Sequence, residues 1–235
     1  MRRATMTLDT PPQERSPLRT ADGSLTLHIA QWDEPYHSRH GAVQESTHVF
    51  IKAGLEQVAK PTIDVLEVGL GTGLNLLLTW VRCLEGKCAV NYTALEPYPV
   101  AKEHLEALGH ADELAWPGLH EPFLEVMTGA AGAWQQGIGG LRFRRLEGPV
   151  QDFAEEAMVD VVYFDAFAPE KQPDMWTEEV FRRMFRALRP GGVLVTYCAK
   201  GEVRRTMQAA GFEVERLPGP PGKREMLRAT RPTTT

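Results

Sequence analysis

The chain has 235 residues, 43% of them hydrophobic, and carries a formal net charge of −5. That is enough apolar material for one filled core but not for a second sizeable domain, and the net acidity excludes a uniformly basic nucleic-acid binder. The three cysteines, Cys83, Cys88 and Cys198, form neither a redox CxxC pair nor a zinc-ligand set. No window approaches the roughly 20 apolar residues of a membrane span. Arg2 and Arg3 are followed by no apolar stretch of a secretory signal. A cytoplasmic protein with reduced thiols, no membrane contact and no metal is expected.

Residues 1–22 are polar and Pro-rich without a period, and are expected to form a flexible tail. A single domain is expected over 23–230, with a strand and helix extension at 23–60. In that extension Leu25–Ile29 alternates as a strand, and Tyr36–Gly41 reads as a loop. Apolar residues from Val43 recur at helical spacing up to Lys60, where Pro61 ends the helix. Strands and helices then alternate. Ile63–Val68 is a buried strand, Leu74–Leu84 a helix, Tyr92–Glu96 a strand and Val100–Leu108 a helix. Residues 109–140, with Trp116, Trp134 and several glycines, fit that rhythm poorly and are expected to be an insertion. Leu141–Leu146 is a strand, Val150–Ala157 a short helix, Val159–Asp165 a strand and Glu178–Leu188 a helix ended by Arg189-Pro190-Gly191-Gly192. Val193–Cys198, a helix over Glu202–Ala210 and two closing strands, Phe212–Leu217 and Arg224–Ala229, complete the pattern. Residues 231–235 are expected to be disordered.

Alternating strands and ten-residue helices imply an α/β fold with a mostly parallel sheet covered on both faces. The last two strands are joined only by Pro218–Gly222, too short for a crossover helix, so they return as an antiparallel hairpin. The expected architecture is Rossmann-like: seven strands, mostly parallel, with that hairpin at the C-terminal edge.

The turn Glu67-Val68-Gly69-Leu70-Gly71-Thr72-Gly73 lies between a strand and a helix, where glycines let the backbone turn sharply and approach a ligand. It reads G-x-G-x-G after an acid. That suits an amino-acid sulfonium better than a pyrophosphate, which Glu67 would repel. Glu96, at the tip of the next strand, stands where an acid accepts ribose hydroxyls. Glu67, Gly69, Gly71, Gly73, Asn75, Glu96 and Asp165 form the expected set for S-adenosyl-L-methionine.

Asp165 ends the Val159–Asp165 strand, on the side of the sheet where ligands bind. Methylating an amine needs its lone pair free and in line with the carbon–sulfur bond. A carboxylate there holds the amine N–H groups and takes up a proton, so Asp165 is the expected catalytic residue. Phe164, Phe167 and Trp176 either stack on a flipped-out base or pack their loop against the sheet. Charge is unevenly distributed. From Val180 onward there are 12 basic and four acidic residues, a net of +8, against −13 for the remainder. The basic part is either a polyanion-binding face or arginines on solvated helices.

These motifs resemble a known family. Glu67–Gly73, Asp165–Trp176 (D-A-F-A-P-E-K-Q-P-D-M-W), Arg189–Gly192, Gly222–Met226 (G-K-R-E-M) and the opening block Tyr36–Ser46 are similar to the methyltransferase half of the bifunctional tRNA 5-methylaminomethyl-2-thiouridine biosynthesis enzymes, from about Asp22 to Thr230. The resemblance implies methyl transfer from S-adenosyl-L-methionine to the 5-aminomethyl group of a tRNA wobble uridine, giving 5-methylaminomethyluridine, with or without a 2-thio group. A stand-alone methyltransferase without the family's flavin half, hence without FAD, is expected, with the tRNA anticodon stem-loop as partner and no obligate protein partner. Tyr36, His37, Phe167, Trp176, Lys223 and Arg224 are the expected substrate and RNA contacts, with Arg204 or Arg205 beside them. The family's Gly-Asp after the third strand is replaced here by Gly148-Pro149, which shifts adenine recognition to backbone groups or to Gln151 or Asp152. The rival readings are an aminopropyltransferase using decarboxylated donor, a methyltransferase of small or protein amines, and a non-catalytic tRNA-binding module.

Overall fold

Three short antiparallel strands, β1 (Arg15–Arg19), β2 (Leu25–Ile29) and β3 (Glu34–Pro35), form a small N-terminal sheet in the computed structural model, which describes residues 14–21, 23–37 and 41–233. β1 lies in the stretch expected to be a loose tail. Arg15–Arg19 pairs residue by residue with Leu25–Ile29, so backbone hydrogen bonds order a segment that has no apolar alternation of its own.

The main sheet contains β4 (Thr62–Val68), β5 (Ala89–Leu95), β6 (Gln135–Gln136), β7 (Leu141–Leu146), β8 (Val159–Phe164), β9 (Leu188–Thr196), β10 (Glu213–Pro218) and β11 (Glu225–Thr230). Their spatial order is β10-β11-β9-β8-β4-β5-β7-β6. The pairs β7–β5, β5–β4, β4–β8 and β8–β9 are parallel. β11 is antiparallel to both β9 and β10, and β6 is antiparallel to β7. This is the expected seven-stranded Rossmann-like sheet with an antiparallel C-terminal hairpin, plus the two-residue edge strand β6. The chain builds outward from β4 through β5 to β7, then returns to β8 on the other side. The order therefore reverses between β4 and β8, and their C-terminal ends open into a crevice.

Strand alternation divides the core in two. Val65, Tyr92, Phe143 and Tyr163 pack on one face under α2 (Leu74–Leu84) and Phe50. Leu66, Phe164 and Leu194 pack on the other with Phe181, Met184, Val203 and Met207 of the two C-terminal helices. Between β5 and β7 the chain forms α3 (Lys102–Leu108), α4 (His110–Glu113) and α5 (His120–Thr128). Residues 109–140, read as an insertion, thus supply Phe123, Leu124 and Met127 to the first core. α6 (Glu178–Ala187) is capped by the Thr177 hydroxyl, and α7 (Gly201–Ala209) leads to the final hairpin.

Three expected elements differ. The helix from Val43 to Lys60 is only α1 (Ala42–Ser46), then a π-helical stretch (Thr47–Lys52) and a 3-10 turn (Leu55–Gln57). Gly54 breaks it: its backbone leaves helical geometry and presses against the sheet, so that a Cβ there would lie 2.5 Å from the Phe50 carbonyl oxygen and 2.9 Å from Val195 Cγ2. Val150–Ala157 contains one 3-10 turn, Val150–Asp152. The amides of Ala157 and Met158 instead donate to the carbonyls of Arg186 and Ala187 at the end of α6. Arg189–Gly192 does not merely end a helix but runs as part of β9, where Arg231 donates to the carbonyls of Phe185, Arg186 and Leu188.

The packing at Gly54 gives a direct test. Gly54→Ala should destabilise the fold by about 2 kcal/mol, as overpacking against backbone does. Urea denaturation reads the change, and a wild-type midpoint would show that the π-helical stretch can yield.

Candidate active site

The tips of the four central strands β8, β4, β5 and β7 are zipped together by backbone bonds. Gly69 N donates to Leu95 O (3.0 Å), Asp165 N to Val68 O (3.0 Å) and Glu96 N to Leu146 O (3.0 Å). The glycines of the turn serve three different purposes. A Cβ on Gly69 would lie 2.8 Å from the Asp165 carbonyl oxygen, one on Gly71 would meet the Tyr36 ring at 2.8 Å, and one on Gly73 would strike Met127 and Phe123 of α5. All three have positive φ. Gly69 thus admits the neighbouring strand, Gly71 admits a covering ring, and Gly73 lets α2 start against α5.

A cavity of about 280 Å³ lies over this junction. Of the expected residues, Gly69, Gly71, Glu96, Asp165, Tyr36, His37, Phe167 and Lys223 line it. Glu67, Gly73, Asn75, Trp176 and Arg224 do not. Glu67 is wholly buried beneath the turn, where Asn75 Nδ2 donates to its Oε1 (2.8 Å) and the Tyr92 hydroxyl to its Oε2 (2.8 Å). Burial, with Asp165 close by, pushes its carboxyl well above the ordinary range and favours the neutral acid. It supports the site from below rather than repelling anything within it.

Asn75 Nδ2 also donates to Asp165 Oδ2 (2.8 Å), so one amide spans the two carboxyl groups. Burial raises Asp165 to about 7, against the lowering effect of the Asn75 bond; Glu45 raises it further and Lys223 lowers it. Glu96 is held by two backbone amides, Gly71 N to Oε2 (2.9 Å) and Tyr98 N to Oε1 (2.9 Å). Each of its oxygens keeps a lone pair for a ligand.

The loop after β8 is pinned. Tyr197 Oη donates to Ala166 O (2.8 Å), Trp176 Nε1 to Phe167 O (2.8 Å), and Phe167 N to Gln172 Oε1 (2.8 Å). Trp176, one of the expected base-stacking residues, is buried among Phe164, Phe181 and Tyr197 with its N–H engaged. It packs the loop and offers no face to a substrate. Phe167 stands at the cavity, edge-on to Tyr36 (5.2 Å) and Trp32 (5.9 Å). The small N-terminal sheet closes this side. Arg15 donates to Tyr98 O (3.0 Å) and Pro99 O (3.2 Å) and lies over the Tyr36 ring, while Lys171 bonds to Trp32 O. His37 Nδ1 is 2.9 Å from Thr26 Oγ1.

Gly148, Pro149 and Val150 form another wall. Gln151 and Asp152, the residues expected to replace the missing acid, are not part of it, whereas Asp174 is. Gln151 Nε2 donates to the Asp174 carbonyl (3.3 Å), joining the two loops. Glu34, Glu45 and Asp174 are the lining acids that sequence reading missed. Glu45 sits in the Tyr36–Ser46 block as one helix residue among several, and nothing local marks it. Among the described residues no helix is long and apolar enough to cross a membrane, and no cluster of three His, Cys, Asp or Glu residues is placed to hold a metal.

Asp165 ties stability to pH. With its folded value raised, the folded state holds a proton that the unfolded chain has released, so stability falls as pH rises from about 4 to about 7. Asp165→Asn should raise the melting temperature at pH 8 and leave it near wild type at pH 4. Equal shifts at both pH values would remove the burial of this charge as the cause.

Residues 146–232 match a family described as S-adenosyl-L-methionine-dependent methyltransferase. The tRNA 5-methylaminomethyl-2-thiouridine biosynthesis bifunctional protein MnmC of Cupriavidus necator is 32% identical over 238 residues, covering 91% of this chain and 34% of that protein. The chain thus spans about a third of the length of the curated relatives it matches. The crystal structure of MNMC2 from Aquifex aeolicus superposes with a TM-score of 0.75 at 27% identity, covering 96% of this chain and 73% of that one. Spermidine synthase from Thermotoga maritima superposes with a TM-score of 0.56 at 13% identity, covering 94% and 70%, a likeness of fold alone. The chain has the Rossmann-like fold of S-adenosyl-L-methionine-dependent methyltransferases, and over nearly all of its length it resembles the methyltransferase part of the tRNA 5-methylaminomethyl-2-thiouridine biosynthesis proteins.

Proposed function

We propose that the chain transfers a methyl group from S-adenosyl-L-methionine to the amine of a 5-aminomethyluridine at the wobble position of tRNA. The observation that carries this reading is Asp165: a carboxylate at the switch point of the sheet, held by Asn75, lining the cavity and raised to about 7. The relatives' names supply the substrate class.

The lining residues fit the donor. The Gly69–Gly71 backbone provides close approach, Glu96 offers free lone pairs to the two ribose hydroxyls, and Leu95, Pro97, Pro149 and Val150 offer apolar walls to the adenine. When bound, the donor supplies an electrophilic methyl carbon on a sulfonium. The protein's part is then to present a neutral amine to that carbon. Asp165 accepts the amine N–H, orients the remaining lone pair and takes up the proton released as the new bond forms. A group near 7 does this well, because close to neutral pH it is ionised enough to accept a proton and basic enough to keep it. Tyr36, His37 and Phe167 lie where a flipped-out base would enter, with Phe167 the stacking surface. The reaction needs no metal or flavin, and the setting fits a cytoplasmic enzyme working on the anticodon stem-loop.

Incubation with donor and tRNA from cells lacking the methyl modification should convert the wobble nucleoside to its methylaminomethyl form, read by mass spectrometry. Asp165→Asn should lower turnover by about 100-fold or more while leaving donor affinity nearly intact. Wild-type turnover in that variant, or label entering only small amines, would sink the reading.

Arg224 is exposed beside the cavity mouth, in a shallow depression with Lys200 and Lys223. Arg224→Ala should weaken tRNA binding and reduce the slope of log affinity against log salt by about one. An unchanged slope would move the RNA contact elsewhere.

A further inference from the structure

Lys223 was expected to meet phosphates with Arg224, but the structure turns it the other way. Its Nζ lies 2.7 Å from Glu45 Oε2 and 4.1 Å from the centre of the Tyr197 ring, and both partners line the donor cavity with it. The backbone fixes this inward position. Lys223 N donates to Pro220 O (2.9 Å) and Gly219 N to Arg224 O (3.1 Å) across the β10–β11 turn. His48 of the π-helical stretch bonds to the Pro218 carbonyl (2.8 Å), tying the hairpin to the element that follows Glu45. Glu45 itself is buried. The lysine head group therefore sits against a buried carboxylate and an aromatic face, on a side chain that is still half-buried rather than enclosed.

We propose that Lys223, held by Glu45 over the Tyr197 ring, is a positioning residue for methyl transfer, its ammonium sharing one cavity with Asp165 and favouring the carboxylate that receives the substrate amine's N–H. The proposal rests on the role given above to Asp165. The titratable groups that act on Asp165 or feel its charge are Glu67 on β4, Tyr92 on β5, Glu45 on α1, Tyr197 after β9 and Lys223. Burial pushes Glu67 well above the ordinary carboxyl range, towards the neutral acid, and the two tyrosines above their ordinary values. Lys223 is thus the cation of the set. It also answers a difficulty in the chemistry. An aminomethyl substituent arrives largely as an ammonium, and two bare carboxylates, Glu45 and Asp165, would bind that form and hold it unreactive. With Lys223 paired to Glu45, that carboxylate is occupied and Asp165 is left to accept the amine N–H, and a cation close by disfavours the protonated substrate.

Carboxyl 13C resonances of aspartate-labelled protein, with Asp165 assigned by its loss in Asp165→Asn, test this without relying on turnover. Lys223→Met should raise the Asp165 titration midpoint by about one pH unit, the low end of what a nearby opposite charge produces because Glu45 offsets part of it. Lys223→Arg should restore the midpoint, and Lys223→Gln replaces the methionine variant should that one fail to fold. The acid limb of the rate profile should move upward by the same amount. An unmoved midpoint in folded Lys223→Met, with tRNA binding losing about one unit of salt slope, would make Lys223 a phosphate contact and overturn the proposal. Wild-type turnover in Asp165→Asn would instead overturn the role of Asp165, whatever the midpoint does.

Discussion

One amide group holds the site together. Asn75 Nδ2 donates at 2.8 Å to Glu67 on β4 and at 2.8 Å to Asp165 after β8, bridging the two strands at the point where the sheet reverses direction. Two carboxyl groups this close and this buried cannot both ionise without large cost. The fold resolves the conflict by depth: Glu67, fully enclosed and bonded by Tyr92, is pushed well above the ordinary carboxyl range, while Asp165, at the cavity wall, is raised only to about 7. Asn75 occupies the first turn of α2, whose start depends on Gly73 packing against Met127 and Phe123 of α5. The chemistry of Asp165 therefore traces back to a glycine that never touches the cavity.

The N-terminal sheet adds the opposite wall. Arg15 reaches the loop after β5, Lys171 reaches back from the loop after β8 to Trp32, and Tyr36 covers Gly71 between them. Neither loop has regular structure at these points, so each takes its shape from bonds that cross between elements. Trp176 does the same from beneath, its indole fixing the Phe167 carbonyl. The surface that would meet a base is thus rigid from several sides, which is what near-attack geometry requires of a site that supplies no covalent chemistry of its own.

Much of this was readable in advance, for reasons that differ by element. β4, β5 and β8 announce themselves because both faces of a parallel sheet are buried, leaving short, mostly apolar runs between turns, and β7 because buried Leu141 and Phe143 alternate with more exposed arginines. Gly69, Gly71, Glu96 and Asp165 were legible because strand tips and the glycine turn fix position through the backbone alone. β1 was not, since Arg15–Arg19 is ordered by its partner strand and not by its own pattern. The helix beyond Ser46 failed at Gly54, where a periodic apolar pattern was right about burial and wrong about geometry. The placement of Trp176 in the core and of Lys223 against Glu45 was hidden for a related reason. An aromatic and a lysine next to a functional motif look alike in sequence whether they face a ligand or a neighbour, and only long-range packing decides.

The basic C-terminal part shows the same limit in charge. Its net of +8 suggested a polyanion face. In the fold Arg182, Arg183 and Arg186 pair with Glu178, Glu179 and Glu156, Arg189 with Asp64 and Asp160, Arg228 with Glu215, and Lys200 with Glu170. Surface pairs of this kind add little stability, but they cancel field. Arg205 and Arg224 stay exposed. An RNA docking here would neutralise few phosphates through free cations, so its affinity must lean on the pocket that holds the base. Recognition would then fall on the same residues proposed to position the amine, so that RNA binding and turnover would share the cavity wall around Asp165.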